Sequence, residues 1–520
     1  MIRLRLLILI ALLAVGAGCG RRSPTPTSGS ALGNRVLTTA TTADVRTLDP
    51  ALAYDTWSIA AVHAITRRLV DYDREGSLTA DLAETWSTSD DGMVFTFRLR
   101  SADYADGSPI VAQDFVDTLE RLRDPATDSN ARDFYASIAR IEAVDDRTLR
   151  FTLQQLDPTF PAVLGMTFFA PTPRRAVEAA AAAKRPYGDQ PLASGPFTLA
   201  EHRRGQELIL ARNPRDDRAE TNLDRLVLKV QMREDSQMLA FESGQLDLLT
   251  GLSLADYATV LDDPARRTRV VQAPVSQTWY FGMNVTRPPF NRALVRQAVV
   301  LAIDREKQAR LGPGGVAASG ILPPGVPGHD ADRLLPERDV ARAKALLAQA
   351  GYPRGIPASQ APTMWLANDE LYQRRAEAVQ ADLREVGIPV TLRAATMSEY
   401  LTAYKNDADC WYGGWFPDFP DAGNFLEPLF HSRNIKPRNS LNATHYRNGR
   451  VDALLDQAGA TPAGEPRNAL YRQAEELILK DAPWAPLYFE VETRYYRPSV
   501  QGVVVHPIWR QILTPLGKAP

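Results

Sequence analysis

A mixed α/β fold of two or more lobes is predicted by three observations. The chain has 520 residues, which at about 100–200 residues per domain means two to four domains or one large composite fold. Segments rich in β-branched and aromatic residues recur along it, alternating with stretches of helical apolar spacing. Apolar residues make up 44% and charged residues 23%, ordinary globular usage that rules out disorder for the bulk of the chain. No internal repeat is visible. Lys+Arg 60 against Asp+Glu 62 leaves no basic surplus, so no nucleic-acid partner is expected. Two cysteines exclude a disulfide framework, a Cys-rich zinc module and an iron–sulfur site.

The N-terminus reads as an address. Arg3 and Arg5 precede the apolar run Leu6–Val15, followed by Gly16, Ala17, Gly18 and Cys19. Ten apolar residues are too few to span about 30 Å of hydrocarbon, but they fit a signal-peptide core. Small residues before a cysteine resemble a lipoprotein cleavage box. Residues 1–18 are therefore expected to be removed and Cys19 to carry lipid. Gly16 stands where such boxes usually place Leu, which leaves plain signal-peptide cleavage near the same point open. Residues 19–34 are rich in Pro, Ser, Thr and Gly and read as a flexible tether.

Strands are expected at Val94–Leu99, Thr148–Leu153, Glu207–Leu210, Leu226–Val230 and Tyr280–Asn284. Asn291–Arg305 carries an apolar stripe from Leu294 to Ile303, with Asn291 as its expected N-cap. Ala341–Ala350 reads as a helix closed by Gly351 and Pro353. Leu371–Val386 and Pro466–Leu479 complete the helical stretches. No apolar run after the first reaches the roughly 18 residues of a transmembrane helix.

Catalytic patterns are missing. The six histidines form no HExxH pair, and there is no GxSxG elbow and no GxxxxGK[ST] loop. No metal, cofactor or enzyme activity is expected. Cys410 reads as inert core in or near a strand. One constellation stands out: Trp411-Tyr-Gly-Gly-Trp-Phe-Pro-Asp-Phe-Pro-Asp421 packs five aromatics and two acids into eleven residues. Its glycines, prolines and aspartates predict an aromatic-lined loop where backbone approaches a ligand. An acid in such a wall needs a cationic partner, which a ligand ammonium supplies.

From Arg35 to Gly502 the chain resembles the family 5 extracytoplasmic solute-binding proteins of ABC importers, most closely the oligopeptide-binding members. The resemblance rests on landmarks in order: Leu48-Asp-Pro50, Leu82-Ala-Glu-Thr-Trp86, Asp106-Gly-Ser-Pro through Phe115, Ser194-Gly-Pro-Phe197, Phe241 through Asp247, Asn284 through Arg305, Ala345 through Pro353, Val379 through Ile388, and Gly414-Trp-Phe-Pro-Asp418. It implies a type II periplasmic-binding-protein-like fold of two α/β lobes, with an additional domain beside the first. Residues 35–53, 171–273 and 491–520 would build the first lobe, 54–170 the additional domain and 274–490 the second lobe.

The resemblance implies that short peptides bind between the closing lobes and are delivered to a membrane permease from the cell envelope. The protein would act as a monomer. Asp418 matches the acid that holds the peptide α-ammonium, with Asp421 as the competing choice. Trp415 would wall a side-chain pocket, and Gly413 and Gly414 would admit peptide backbone. Tyr54, Thr56 and Trp57 lie in a stretch whose backbone pairs with the peptide as an added strand. Phe134, Tyr135, Tyr446 and Tyr488 fall near family cleft positions. The alternative is the same fold holding a nickel chelate, haem, an opine or an oligosaccharide.

Overall fold

The computed structural model describes residues 35–519 other than Ala219 and Pro313; the expected signal peptide, tether and Cys19 lie outside the described residues. The elements that position the site are, in order, β1 (Val36–Ala40), α1 (Thr56–Ile65), β2 (Ala83–Thr88), β3 (Val94–Leu99), α2 (Ala112–Arg123), β4 (Ile138–Asp145), β5 (Thr148–Leu153), β6 (Phe197–Arg203), β7 (Glu207–Arg212), β8 (Arg225–Lys229), α3 (Glu234–Glu242), β9 (Leu248–Leu249), β10 (Val270–Met283), α4 (Ala293–Ala302), β11 (Gly315–Ala317), α5 (Val340–Gln349), β12 (Thr363–Ala367), α6 (Glu370–Glu385), β13 (Thr391–Ala395), β14 (Cys410–Trp415), α7 (Ala422–Phe430), α8 (Glu465–Asp481) and β15 (Trp484–Tyr496).

Among the described residues the main sheet runs β13-β12-β14-β10-β15-β9-β1-β8-β7-β6, with β11 paired to β15. Its centre is the long antiparallel pair β10/β15. Val270–Pro274 pair with Val491–Tyr495 on the β1 side, and Thr278–Gly282 pair with Trp484–Phe489 on the β14 side. The register shifts between Pro274 and Thr278. A proline inside a strand fits such an irregularity, where a ladder donor is not required.

Each flank has its own core. On the β1 side Leu37, Leu208, Leu226 and Leu228 pack together. On the β14 side Phe281, Met283, Val295, Val299, Met364, Val379 and Cys410 do so. A separate antiparallel sheet, β2-β3-β5-β4, buries Phe95, Phe97 and Phe151 against Phe115 of α2. α2 places Asp114 in its first turn and Arg121 and Arg123 in its last, which complements its macrodipole. Arg121 reaches out of this unit to the buried Asp49, with one nitrogen–oxygen distance of 2.7 Å.

Expected strands Val94–Leu99 and Thr148–Leu153 match β3 and β5. The expected Tyr280–Asn284 strand is only the end of β10, because Pro274 masks the run before it. The helix expected from Asn291 starts at Ala293 with Arg292 as N-cap. Asn291 instead closes the preceding turn, its backbone N–H donating to the Arg287 carbonyl at 2.8 Å. Gly351, with φ +89°, ends α5 as expected. Cys410 is fully buried in β14, and burial pushes its thiol well above the ordinary value.

Gly282 in β10 faces Trp411 across the ladder, and the indole occupies the space a Cβ would need, 2.3 Å away. Gly282→Ala is expected to cost about 1–3 kcal/mol by overpacking, read as a lower urea midpoint.

Candidate functional site

Two adjoining cavities of about 460 and 710 Å³ lie over the middle of the main sheet. They share Thr42, Glu234, Leu252, Glu490 and Arg510 and form one cleft. One wall comes from the β1 side: Thr42, Asp55–Trp57 and Glu234. The other comes from the β14 side: Trp279, Asp369 and Tyr372. The floor is β15, where Glu490 bonds the Trp279 indole N–H. Next to it, Glu492 is clamped by Arg494 at 2.6 Å and by Arg510. Those two arginines hold the Glu492 carboxyl below its usual range against its burial. Arg510 also donates to Gln277 Oε1 at 3.0 Å and lies over the Phe416 ring at 5.1 Å.

Phe416 opens the loop that carries the predicted acid. The aromatic segment is not a loop throughout: Cys410–Trp415 is β14, paired from Met283↔Cys410 to Thr278↔Trp415. The two glycines explain why a strand is possible there. A Cβ at Gly413 would meet the Tyr400 hydroxyl at 2.4 Å, and one at Gly414 would meet the Trp279 ring at 3.0 Å. The chain's own side chains fill both spaces. Only residues 416–421 form the connection to α7.

The two aspartates of that connection have opposite environments. Asp421 is buried, caps α7 through Gly423 N–H at 2.7 Å, and makes a bidentate pair with Arg467 at 2.6 and 2.8 Å. Asp418 is exposed and makes no ion pair among the described residues. Its Oδ1 accepts from the Tyr54 hydroxyl at 2.9 Å, a contact 364 positions apart in sequence. Its backbone N–H donates to Asn424 Oδ1 at 3.0 Å. Desolvation by the surrounding walls raises the Asp418 carboxyl, and the Tyr54 and Asn424 bonds oppose this. Trp415 is half-buried and donates its indole N–H to the Asn424 carbonyl at 3.0 Å.

Tyr54 stacks on Phe168 at 5.7 Å. Phe168 meets Phe134, and Phe134 meets Phe419, each at 6.3 Å. Phe134 and Phe419 line a third cavity of about 750 Å³ between Asp133–Val163 and α7–α8. The 416–421 loop therefore packs against Arg510 of the central cleft through Phe416 and lines this third cavity through Phe419.

Several expected site residues are placed otherwise. Tyr135 is fully buried against Phe169, with its hydroxyl on the Val163 carbonyl, so it belongs to a core. Tyr446 is buried, its hydroxyl tied to Asp481 at 2.6 Å. Tyr488 is buried behind Trp279, bonded to Tyr412 at 3.0 Å and to Arg375. Thr56 and Trp57 line the central cleft, but as the first turn of α1 rather than as a strand. Glu234, Trp279, Asp369, Tyr372 and Arg510 went unnoticed in the sequence. They meet only through the tertiary fold, and no local spacing marks them.

The family model for bacterial extracellular solute-binding proteins, family 5 middle domain, matches residues 77–437. The chain belongs to this family. It is 29% identical over 480 residues to heme-binding protein A of Haemophilus influenzae, covering 86% of each chain. It is 28% identical over 506 residues to the probable D,D-dipeptide-binding periplasmic protein DdpA of Escherichia coli, covering 94% of this chain and 95% of that one. Among solved structures, the periplasmic binding protein DppA of Helicobacter pylori in complex with peptide STSA superposes with a TM-score of 0.77 at 26% identity, covering 94% and 99%. The family 5 chain thus has the type II periplasmic-binding-protein fold, and it is an extracytoplasmic solute-binding component of ABC transport.

Replacing Arg467 with Met would leave Asp421 buried without its cation. Urea denaturation is expected to show a loss of about 3–5 kcal/mol, whereas Asp418→Asn, at an exposed acid with no ion pair, leaves the midpoint nearly unmoved.

Proposed function

We propose that this family 5 protein captures short peptides in the central cleft and delivers them to a membrane permease. Asp418 holds the peptide α-ammonium. The observation that carries this reading is the contrast within one loop: Asp421 is neutralised by Arg467, while Asp418 meets only neutral partners. A ligand ammonium completes that site with a charge-assisted hydrogen bond of about 1.5–3 kcal/mol. The names of the dipeptide-binding relative and of the peptide complex support a peptide ligand. Heme-binding protein A keeps a non-peptide ligand as the competing reading.

In this proposal residues 35–53, 171–273 and 491–520 move as one lobe beside the 54–170 domain, and 274–490 as the other. Ligand touching both favours closure. Cys19 carries a lipid that anchors the monomeric protein to the membrane, supported by the small residues before it.

Native mass spectrometry of the protein purified without added ligand tests the ligand class. Heterogeneous extra mass that fragments as short peptides supports the reading; a haem or other single non-peptide mass overturns it. In titrations with defined peptides, Asp418→Asn or N-acetylation of the peptide is expected to weaken binding at least tenfold, about 1.4 kcal/mol. Binding requires the ionised carboxylate. Affinity is therefore present at neutral pH and lost as pH falls through the raised Asp418 value. This loss begins at higher pH than an ordinary aspartate would give, and Asp418→Asn should remove it.

A further inference from the structure

The accessible charges left unmatched on the walls of the central cleft are negative; the one lining arginine without an acid partner, Arg375, is buried at 1% exposure. Every arginine lining it is engaged. Arg494 and Arg510 hold Glu492, and Arg233 pairs with Asp235 at 3.4 Å. Arg375 is buried with its guanidinium on the Leu311 carbonyl and the Tyr488 hydroxyl. Four acids lining the cleft have no cation within salt-bridge distance among the described residues: Asp55, which caps α1, Glu490, which holds the Trp279 indole on the floor, and the facing pair Glu234 and Asp369. Glu234 opens α3 on one wall, and Asp369 caps α6 on the other, accepting only from Leu371 N–H at 2.9 Å and Tyr372 N–H at 3.1 Å. Both line the 710 Å³ cavity.

We propose, building on the peptide reading of this cleft, that it selects peptides carrying a basic side chain, whose cation sits between Glu234 and Asp369 while the α-ammonium sits at Asp418. The two acids stand on opposite walls, so bringing the walls together without a cation juxtaposes like charges. Burial and then the carboxylates of Asp369, Asp256 and Asp235 already push the Glu234 carboxyl above its ordinary value. A lysine or arginine side chain between the walls turns that repulsion into a contact made only in the closed form, which is the differential affinity that closure requires. Trp279 and Tyr372, with ring centres 4.8 Å apart on the same cavity, add aromatic faces suited to a cation. An acidic side chain at the same place meets two carboxylates and no free cation, which is selection by repulsion.

The test is calorimetric titration of the protein, freed of co-purified ligand, with tri- and tetrapeptides bearing Lys, Ala or Glu at each position in turn. At one position Lys is expected to bind at least about tenfold tighter than Glu. In the Glu234→Gln/Asp369→Asn double variant that ratio is expected to fall towards one; Asn preserves the α6 cap. Peptide binding with no Lys-over-Glu preference, or a preference that survives the double substitution, overturns this inference and leaves the peptide reading standing. Failure of all three series to bind overturns the peptide reading and this inference with it.

Discussion

Everything that faces the cleft hangs on one antiparallel ladder, β10 with β15. In the order of the main sheet it stands between the β14 side and the β1 side, which β15 reaches through β9. Its register shift follows Pro274, and the β15 residues in and before that shift, 490–494, are the cleft floor. Floor groups on such a ladder cannot be left with loose charge. Glu492 is therefore clamped by Arg494 and Arg510, and Glu490 is bonded to Trp279. Arg510 comes from the C-terminal segment, 18 residues beyond Glu492. The same arginine reaches Gln277 and Phe416, so the floor network also braces the loop that bears Asp418.

That loop shows how environment divides identical side chains. Asp421 lies three residues after Asp418, yet it is consumed by structure: it caps a helix and pairs with a buried arginine. A buried carboxylate without Arg467 would carry a desolvation cost of several kcal/mol. Asp418 is exposed and bears less of that cost, though desolvation still raises its carboxyl. Asn424 ties the two together. Its side chain fixes the Asp418 backbone, and its carbonyl holds the Trp415 indole. The loop is therefore held at both ends while the Asp418 carboxylate makes no ion pair among the described residues.

The fold was legible where chemistry is local. Val94–Leu99 and Thr148–Leu153 alternate cleanly and appear as the strands expected, and Gly351 closes its helix at positive φ. β10 was legible only at its end, since Pro274 reads as a breaker and is tolerated at a register shift. The glycine pair 413–414 misled for a related reason. Glycine signals a missing Cβ but not what fills the space, and here Tyr400 and Trp279 fill it rather than a loop opening. Tyr135, Tyr446 and Tyr488 share a residue type with cleft walls but point into cores, a difference that depends on packing between distant segments. Glu234 and Asp369 carry no motif at all; they become a pair only when α3 and α6 line one cavity.

The geometry at Asp418 also bears on what ligand binding must displace. Tyr54 occupies Oδ1, and an ionised carboxylate accepts at two oxygens with about four lone-pair sites. An ammonium arriving at Oδ2 can therefore join the tyrosine hydroxyl rather than evict it. The neutral bond from Tyr54 and the charged bond from the ligand would then act on one carboxylate together. Tyr54 comes from the segment before α1 and Asp418 from the loop after β14, so the hydroxyl bond forms only when those segments are close. In the proposed peptide complex, a ligand that fixes Asp418 in its ionised form would strengthen the acceptor that Tyr54 needs, so that capture and approach of the two segments would favour each other through a single carboxylate.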